Sequence, residues 1–131
     1  MLSRWPGHIS AGARDTRLVA NIDIAPTVLD AAGVTPEVQM DGRSLLKDSA
    51  RDRILAEYWA GQPKGPPQWA ARLTRTDEYI EYYDAGSGEV IFREYYDLAA
   101  DPWQLTNLRT PPTGSQAELA ADRRCAGAGC P

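Results

Sequence analysis

The feature that most constrains the fold is a series of short segments between residues 53 and 97 that are rich in Tyr, Ile, Val, Thr and Phe. Such residues suit the pleated, half-buried surface of a β-sheet. A Gly-containing loop at residues 84–88 joins the last two segments at a length typical of a hairpin connection. The pattern therefore predicts an antiparallel sheet of three or four strands, formed by residues 53–59, 69–76, 78–84 and 90–97.

Residues 21–33 carry the clearest helix signal in the chain. Asp23 is a favourable N-cap residue, Pro26 falls in the first turn, and Gly33 can end the helix in the left-handed conformation. An Asp in this position could also ligate a metal, but its place before a Pro-containing helix favours capping. We therefore expect an amphipathic helix with its apolar residues at helical spacing, namely Ile24, Val28, Leu29 and Ala32.

A second helix is predicted near the C-terminus, over residues 115–124. Ser115 can act as its N-cap, with Glu118 completing a capping box. One helix, then several strands, then another helix is not the regular alternation of a parallel sheet. The sequence therefore indicates the α+β class.

Composition excludes several kinds of function. The 131 residues carry a net charge of −4 and no basic stripe, so a nucleic-acid partner is not expected. No apolar run approaches the roughly 20 residues that span a bilayer, so no membrane partner is expected either. The only imidazole, His8, lies in a turn segment, and no His/Cys spacing typical of a transition-metal site occurs.

The two cysteines lie close together near the C-terminus. Four small residues separate Cys125 from Cys130, and such a loop lets the two Cβ atoms approach without strain. A disulfide here would tie down the tail and would imply an oxidising compartment. Two free thiols on a frayed terminus are the alternative, while zinc binding lacks a second Cys/His pair.

Several motifs follow one another in an order that resembles the closing part of a type I, formylglycine-dependent sulfatase. Each motif is short, but together their order and spacing cover nearly the whole chain. The pattern is most similar to bacterial arylsulfatases and N-acetylglucosamine-6-sulfatase-like members. The motifs are RWPG at 4–7, AG at 11–12, the helix at 21–33, MDGRSL at 40–45, ILAEYW at 54–59, the segment 72–82, EYYDL at 94–98 and DPWQLTNL at 101–108.

The resemblance implies two regions of different origin. In this family a large α/β domain like that of alkaline phosphatase precedes a smaller domain with a four-stranded antiparallel sheet and a packed C-terminal helix. By resemblance, residues 1–46 are a remnant of the end of the large domain, and residues 47–131 form the C-terminal domain. The chain would then come from a truncated gene, a misassigned start or a split protein.

The resemblance also implies where the chemistry lies. Family members use a formylglycine, made from Cys or Ser in a C/S-x-P-x-R motif, and a Ca²⁺ held by Asp and Asn side chains. Neither pattern is present here, so we expect no catalytic residue and no metal ligand in this chain. Without a nucleophile and a metal the chemical step is lost, and the chain is expected to be inactive alone. Both groups would belong to an upstream catalytic domain.

Three residues are predicted to reach an anionic substrate across the seam between the two regions: Trp69, Arg72 and Arg75. In the full-length context the substrate would be a sulfated sugar or an aryl sulfate. A structural ion pair is the alternative role for each arginine. Glu78 stands where the family usually has Lys before Tyr-Ile, which reverses the charge at that point of the surface.

Two other functions stay open. A glycan-binding module would use an aromatic cluster of Trp59, Trp69 and Tyr79, although sheet packing is the alternative for each ring. An interaction protein would dock to a separately encoded catalytic half and bury the apolar helix residues Ile22, Ile24, Val28 and Leu29.

Localisation follows from the resemblance and the first residues of the chain. Members of the family are typically secreted, periplasmic or attached to the cell envelope. The first twelve residues contain no signal peptide, because no long apolar segment follows the basic residue. As written, the chain is expected to be cytoplasmic.

Overall fold

A computed structural model describes residues 4–48, 50–59, 66–125 and 130–131. A 3-10 turn at Asn21–Asp23 leads into helix α1 (Ile24–Ala31). Four strands follow, and helix α2 (Ser115–Asp122) comes last. The strands are β1 (Ile54–Tyr58), β2 (Gln68–Leu73), β3 (Asp77–Tyr83) and β4 (Val90–Asp97). This order of elements confirms the predicted α+β class.

The four strands form one antiparallel sheet in the order β1-β2-β3-β4, so that each strand pairs with its neighbour in the chain. Strand β2 ends three residues earlier than predicted, because Thr74 starts a tight turn. Its Oγ1 accepts hydrogen bonds from the backbone N–H groups of Thr76 and Asp77, at 3.2 and 2.9 Å. The predicted hairpin between β3 and β4 is present, and Asp84 Oδ1 accepts two backbone N–H groups of that loop.

Helix α2 packs on one face of the sheet, which we call the helix face. Leu119 of α2 is fully buried there, in a cluster with Ala70, Tyr79 and Tyr83. Successive side chains of a strand point to opposite faces, so Ala71 lies on the other side of the sheet from Ala70. We call that other side the open face, because no helix of the described ranges packs along it.

Asp23 occupies the predicted N-cap position of α1 but makes no side-chain capping bond to that helix, and Ser115 is not the N-cap of α2. Asp23 has helical dihedral angles, φ −76° and ψ −15°, because the 3-10 turn already winds the chain before α1 begins. The residue at the N-cap of α2 is Gly114, at φ 99°, so the predicted capping box is wrong. Ser115 and Glu118 instead contact the buried Arg72 guanidinium, which draws both side chains toward the sheet, at 3.3 and 2.8 Å.

A disulfide joins Cys125 and Cys130, which decides between the two alternatives that the sequence left open. The backbone carbonyl of Cys130 accepts a hydrogen bond from Arg43 Nη2 at 3.3 Å, so the end of the chain contacts the N-terminal segment. Within the described ranges, no helix has the length and apolar character needed to cross a bilayer.

Candidate functional site

The seam is the region where residues 4–48 meet the first residues of the sheet, and a buried ion pair lies at its centre. Arg51 Nη2 donates to Asp23 Oδ1 at 2.6 Å, and each side chain is only 2% exposed. The backbone N–H groups of Ala20 and Arg43 donate to the same carboxylate, both at 2.8 Å. Burial alone would raise the pKa of Asp23, but these donors and the Arg51 charge outweigh it and hold the pKa below its ordinary value.

A cavity of about 300 Å³ opens beside this ion pair, and Arg17, Arg51 and Arg75 are among its lining residues. The Arg17 guanidinium is occupied, because it donates to the Asp15 carboxylate and to the carbonyl groups of Leu45 and Lys47. Arg75 lies in the turn between β2 and β3 and is exposed. Among the described residues it has no hydrogen-bond or ion-pair partner, although the Asp52 carboxylate lines the same cavity.

Arg72 is buried on the helix face, where it holds the β2–β3 turn in place. Its Nη2 lies 2.9 Å from Asp77 Oδ1, and its Nη1 lies 2.8 Å from Glu118 Oε2. Asp77 Oδ1 also accepts a hydrogen bond from Thr74 Oγ1 at 2.8 Å. Through these contacts Arg72 fixes the turn that carries Arg75 against helix α2.

The three residues predicted to reach substrate therefore lie in three different places. Trp69 is half-buried on the open face, Arg72 is buried on the helix face, and Arg75 is exposed at the seam. The fold does not bring them together as one site. It connects only the two arginines, through the β2–β3 turn.

The predicted aromatic surface of Trp59, Trp69 and Tyr79 is wrong. Tyr79 is fully buried on the helix face, and burial raises the pKa of its hydroxyl above the ordinary value. Trp59 stacks on Tyr83 with ring centroids 5.8 Å apart, and the Arg123 guanidinium lies 4.8 Å from the Trp59 ring. The strand register places Trp69 on the opposite face from Tyr79, so no sugar could contact all three rings.

A different set of aromatic side chains lies in one row across the open face. Tyr58 pairs with Trp69, Trp69 with Tyr82, and Tyr82 with Phe92, one residue from each strand. The Tyr82 and Phe92 ring centroids are 5.8 Å apart. Sequence reasoning missed this row because it depends on the register of three strand pairs, which residue types alone do not determine.

Helix α1 carries exposed apolar side chains. Ile22 in the preceding turn and Ile24 are each 48% exposed, and Val28 is 61% exposed. Leu29, the fourth residue of the predicted apolar set, is half-buried. Exposed apolar groups grouped in this way are typical of a surface that contacts another protein.

The described residues do not fit the Ca²⁺ that the resemblance associates with this family. Across residues 4–48, 50–59, 66–125 and 130–131, no group of three or more His, Cys, Asp or Glu side chains could hold a metal ion. The Asp23 carboxylate, the most deeply buried acid, is already surrounded by N–H donors. Both cysteines are in the disulfide, so neither is a free precursor for formylglycine.

Arg51 is the residue of the seam that sequence reasoning missed. It lies in a polar stretch between predicted elements, 28 positions from Asp23. The one available signal was that a buried acid beside an apolar helix needs a cationic partner. Nothing in the local sequence indicates which of the many arginines supplies it.

Comparison with known proteins gives a consistent result. The family model described as N-sulphoglucosamine sulphohydrolase, C-terminal, matches residues 1–122. The chain is 30% identical over 141 residues to an N-acetylglucosamine-6-sulfatase from Bos taurus, a match covering 82% of this chain and 25% of that protein. It is 32% identical over 125 residues to arylsulfatase K from Rattus norvegicus, covering 84% of this chain and 21% of that protein.

Solved structures agree with the sequence matches. One neighbour, determined in complex with its substrate D-glucosamine-2-N,6-O-disulfate, has a TM-score of 0.56 and 25% identity, over 76% of this chain and 22% of its own. A second, a Bacteroides thetaiotaomicron protein of glycosaminoglycan metabolism, shares the fold with a TM-score of 0.66 and 21% identity, over 92% of this chain and 27% of its own. The chain thus spans about a fifth to a quarter of the length of the curated relatives that it matches.

Proposed function

This chain belongs to the N-sulphoglucosamine sulphohydrolase C-terminal family and is a sulfatase C-terminal domain, and on that premise we propose that it completes a sulfatase acting on sulfated amino sugars without supplying the nucleophile. The observation that carries the proposal is the family match over residues 1–122 together with the four-stranded sheet and packed α2. The relatives support the substrate class through their names, which specify N-acetylglucosamine-6-sulfatase and arylsulfatase.

The chemistry of hydrolysis is assigned to the part of a sulfatase that this chain does not contain. The sequence has no C/S-x-P-x-R motif, and the described residues offer no ligand cluster for a metal. Sulfate-ester hydrolysis by this family depends on a covalent nucleophile and a polarising metal ion. The proposed contribution of this chain is therefore structural, together with a contact to the anionic substrate from the seam.

Arg75 is the residue that we propose for that contact. Its guanidinium is exposed beside a cavity of about 300 Å³ and has no partner among the described residues. A guanidinium matches the geometry of a sulfate group in the same way as that of phosphate, through paired N–H donors. Arg72 acts here as a positioning residue, because it holds the turn through Asp77 rather than facing the cavity.

The exposed side of α1 supports the proposed attachment to a catalytic domain. Ile24 and Val28 would be buried if residues 21–31 pack on the sheet of such a domain, as expected for the end of a larger α/β unit. Attachment as one polypeptide and docking to a separately encoded half use the same surface. The upstream reading frame distinguishes them, because a C/S-x-P-x-R motif in frame indicates one polypeptide.

Two assays test the proposed function. The purified 131-residue chain, given an aryl sulfate and Ca²⁺, is expected to show no turnover. A fusion that places it behind the catalytic part of the Bacteroides thetaiotaomicron N-acetylglucosamine-6-O-sulfatase, a 26% identical relative, is expected to hydrolyse a 6-O-sulfated glucosamine. Turnover by the chain alone, or a fusion no more active than the catalytic part by itself, would contradict the proposal.

A variant pair tests the role of Arg75 in the same fusion. Arg75→Ala is expected to raise the KM for the sulfated sugar, because the cation that faces the substrate is removed. Arg124→Ala removes an exposed arginine two residues after the end of α2 and is expected to leave the KM unchanged. Equal KM values for the two variants would exclude a substrate contact by Arg75.

A further inference from the structure

The Cys125–Cys130 disulfide connects helix α2 to the N-terminal segment of the chain. The Cys125 N–H donates to the Asp122 carbonyl at 2.9 Å, so this cysteine is fixed to the end of α2. The Cys130 carbonyl accepts a hydrogen bond from Arg43 Nη2 at 3.3 Å. We call the disulfide and this hydrogen bond together the tether. We propose that the tether is redox-sensitive, so that it holds the seam closed when the cysteines are oxidised and lets the seam open when they are reduced.

Arg43 is the residue through which the tether acts on the seam. Its side chain contacts the Cys130 carbonyl, whereas its backbone N–H donates to Asp23 Oδ1 at 2.8 Å. The same carboxylate oxygen accepts the hydrogen bond of Arg51 Nη2 in the buried ion pair. One residue thus contacts both the disulfide loop and the centre of the seam. Loss of the contact to Cys130 therefore reaches the ion pair without an intervening element.

The residues of the tether also help to exclude water from Arg51. Cys130 and Pro131 line a cavity of about 190 Å³, and Arg43 and Arg51 line it with them. The Arg51 side chain is only 2% exposed although it borders this cavity. Departure of Cys130 and Pro131 would let water reach the ion pair, and the attraction between two charges weakens as the local dielectric constant rises.

The effect of the tether extends to the cavity beside Arg75. Three consecutive residues line both cavities, namely Ala50, Arg51 and Asp52. Arg43 Nη1 donates to the carbonyl of the first of them at 3.1 Å. Arg43 therefore links the disulfide loop to the segment that the two cavities share.

The disulfide is suited to reversible reduction. Both cysteines are half-buried rather than buried, and disulfides that a thiol can reach are the ones that exchange readily. A dithiol reductant supplies two electrons and two protons. Its first thiolate attacks one cysteine sulfur to form a mixed disulfide, and its second thiolate then displaces that cysteine, which leaves two protein thiols and the oxidised reductant. Because the closed loop is short, its opening is expected to leave the sheet and α2 folded.

Amide hydrogen exchange of the 131-residue chain, followed by NMR before and after reduction with dithiothreitol, tests the inference. The N–H groups of Ala20 and Arg43 donate to the Asp23 carboxylate and report on the seam. The N–H of Tyr79 is the control, because its strand is paired on both sides. Reduction is expected to accelerate exchange at Ala20 and Arg43 by about three- to tenfold, the factor that one lost hydrogen bond gives, and to leave Tyr79 unchanged.

A pair of variants tests whether the effect passes through Arg43. In Arg43→Ala the side-chain contact to Cys130 is absent, so Ala20 is expected to exchange fast in both redox states. In Arg124→Ala, which removes an exposed arginine, Ala20 is expected to respond to reduction as in wild type. Circular dichroism checks that both variants fold.

Three results would overturn the inference. They are unchanged exchange at Ala20 and Arg43 after reduction, equal acceleration at Tyr79, and a response of Arg43→Ala as large as that of wild type. The measurement needs neither a catalytic domain nor a substrate, so its outcome is independent of the proposed function.

Discussion

The buried ion pair at the seam allows one prediction to be developed in full. Replacement of Arg51 by Ala removes the guanidinium that lies 2.6 Å from Asp23 and leaves the carboxylate buried, with two backbone N–H donors. An uncompensated buried charge of this kind costs roughly 3–5 kcal/mol of folding free energy. Arg51→Ala is therefore expected to be strongly destabilising.

The contacts of the pair place the effect near the lower end of that range. The N–H groups of Ala20 and Arg43 continue to stabilise the Asp23 carboxylate when the arginine is gone. Among the described residues, Arg51 Nη1 is buried without a hydrogen-bond partner, so its removal also relieves an unsatisfied donor. Together these two features favour a loss of about 3 kcal/mol.

Urea denaturation followed by tryptophan fluorescence measures the loss, at pH 7 and at lower pH. The pKa of Asp23 is lowered in the folded protein, so its stabilising contribution is present above the unfolded-state pKa of about 3.9 and is lost as the pH falls through the folded-state pKa. The difference between wild type and Arg51→Ala is therefore expected to shrink as the solution is acidified below about pH 4.

Lys47→Ala is the matched control, because it removes the cation of an exposed ion pair with Asp30, in which the lysine is 69% exposed. Such surface pairs contribute little to stability, so the urea midpoint of Lys47→Ala is expected to stay close to that of wild type. An Arg51→Ala variant as stable as Lys47→Ala at pH 7 would refute the reasoning. A decrease in the free energy of unfolding of Arg51→Ala that is the same at every pH would also refute the reasoning.

Three further predictions follow from the sheet and the tail. Burial raises the pKa of Glu78 above its ordinary value, so its ionised form is disfavoured in the folded state. Glu78→Gln is therefore expected to raise the Tm at pH 7 and to have no effect on it below about pH 4. Glu89→Gln, on the exposed hairpin, is the control and is expected to change the Tm at neither pH. Leu119→Ala is expected to lower the free energy of unfolding, measured by urea denaturation, by about 2–5 kcal/mol. Leu105→Ala, at an 82% exposed position, is expected to lower it far less. Equal decreases for the two variants would contradict the assignment of Leu119 to the core. Reduction of the Cys125–Cys130 disulfide is expected to add the mass of two hydrogens. It is expected to lower the free energy of unfolding by at most about 2 kcal/mol, because the loop is short. A decrease as large as that of Leu119→Ala would show that the disulfide supports the core.

Much of the fold was predictable because its signals are local. The β-branched and aromatic segments predicted the strands, and the Gly-rich loop at residues 84–88 predicted the hairpin. The turn after β2 was placed too late, since Thr74 ends the strand through side-chain hydrogen bonds to the following backbone. The predicted capping residues Asp23 and Ser115 bond elsewhere, because buried arginines compete for them.

The candidate site was less predictable because its contacts are long-range. Asp23 and Arg51 are 28 positions apart, and Arg72 and Glu118 are 46 positions apart. Arg75 was named from the sequence and lies at the seam, where its charge is free of described partners. Its substrate contact stays a prediction, as does that of Trp69.

The sequence by itself indicated the class of fold, the hairpin at residues 84–88 and a resemblance to the sulfatase family, because each depends on residue types at short spacing or on the order of motifs. Only the tertiary structure decided which side chains share a surface. Strand register alternates side chains between two faces, and this separates Trp69 from Tyr79 while it aligns Tyr58, Trp69, Tyr82 and Phe92 in one row. A face of a sheet belongs to several strands at once, so it exists only after they have paired.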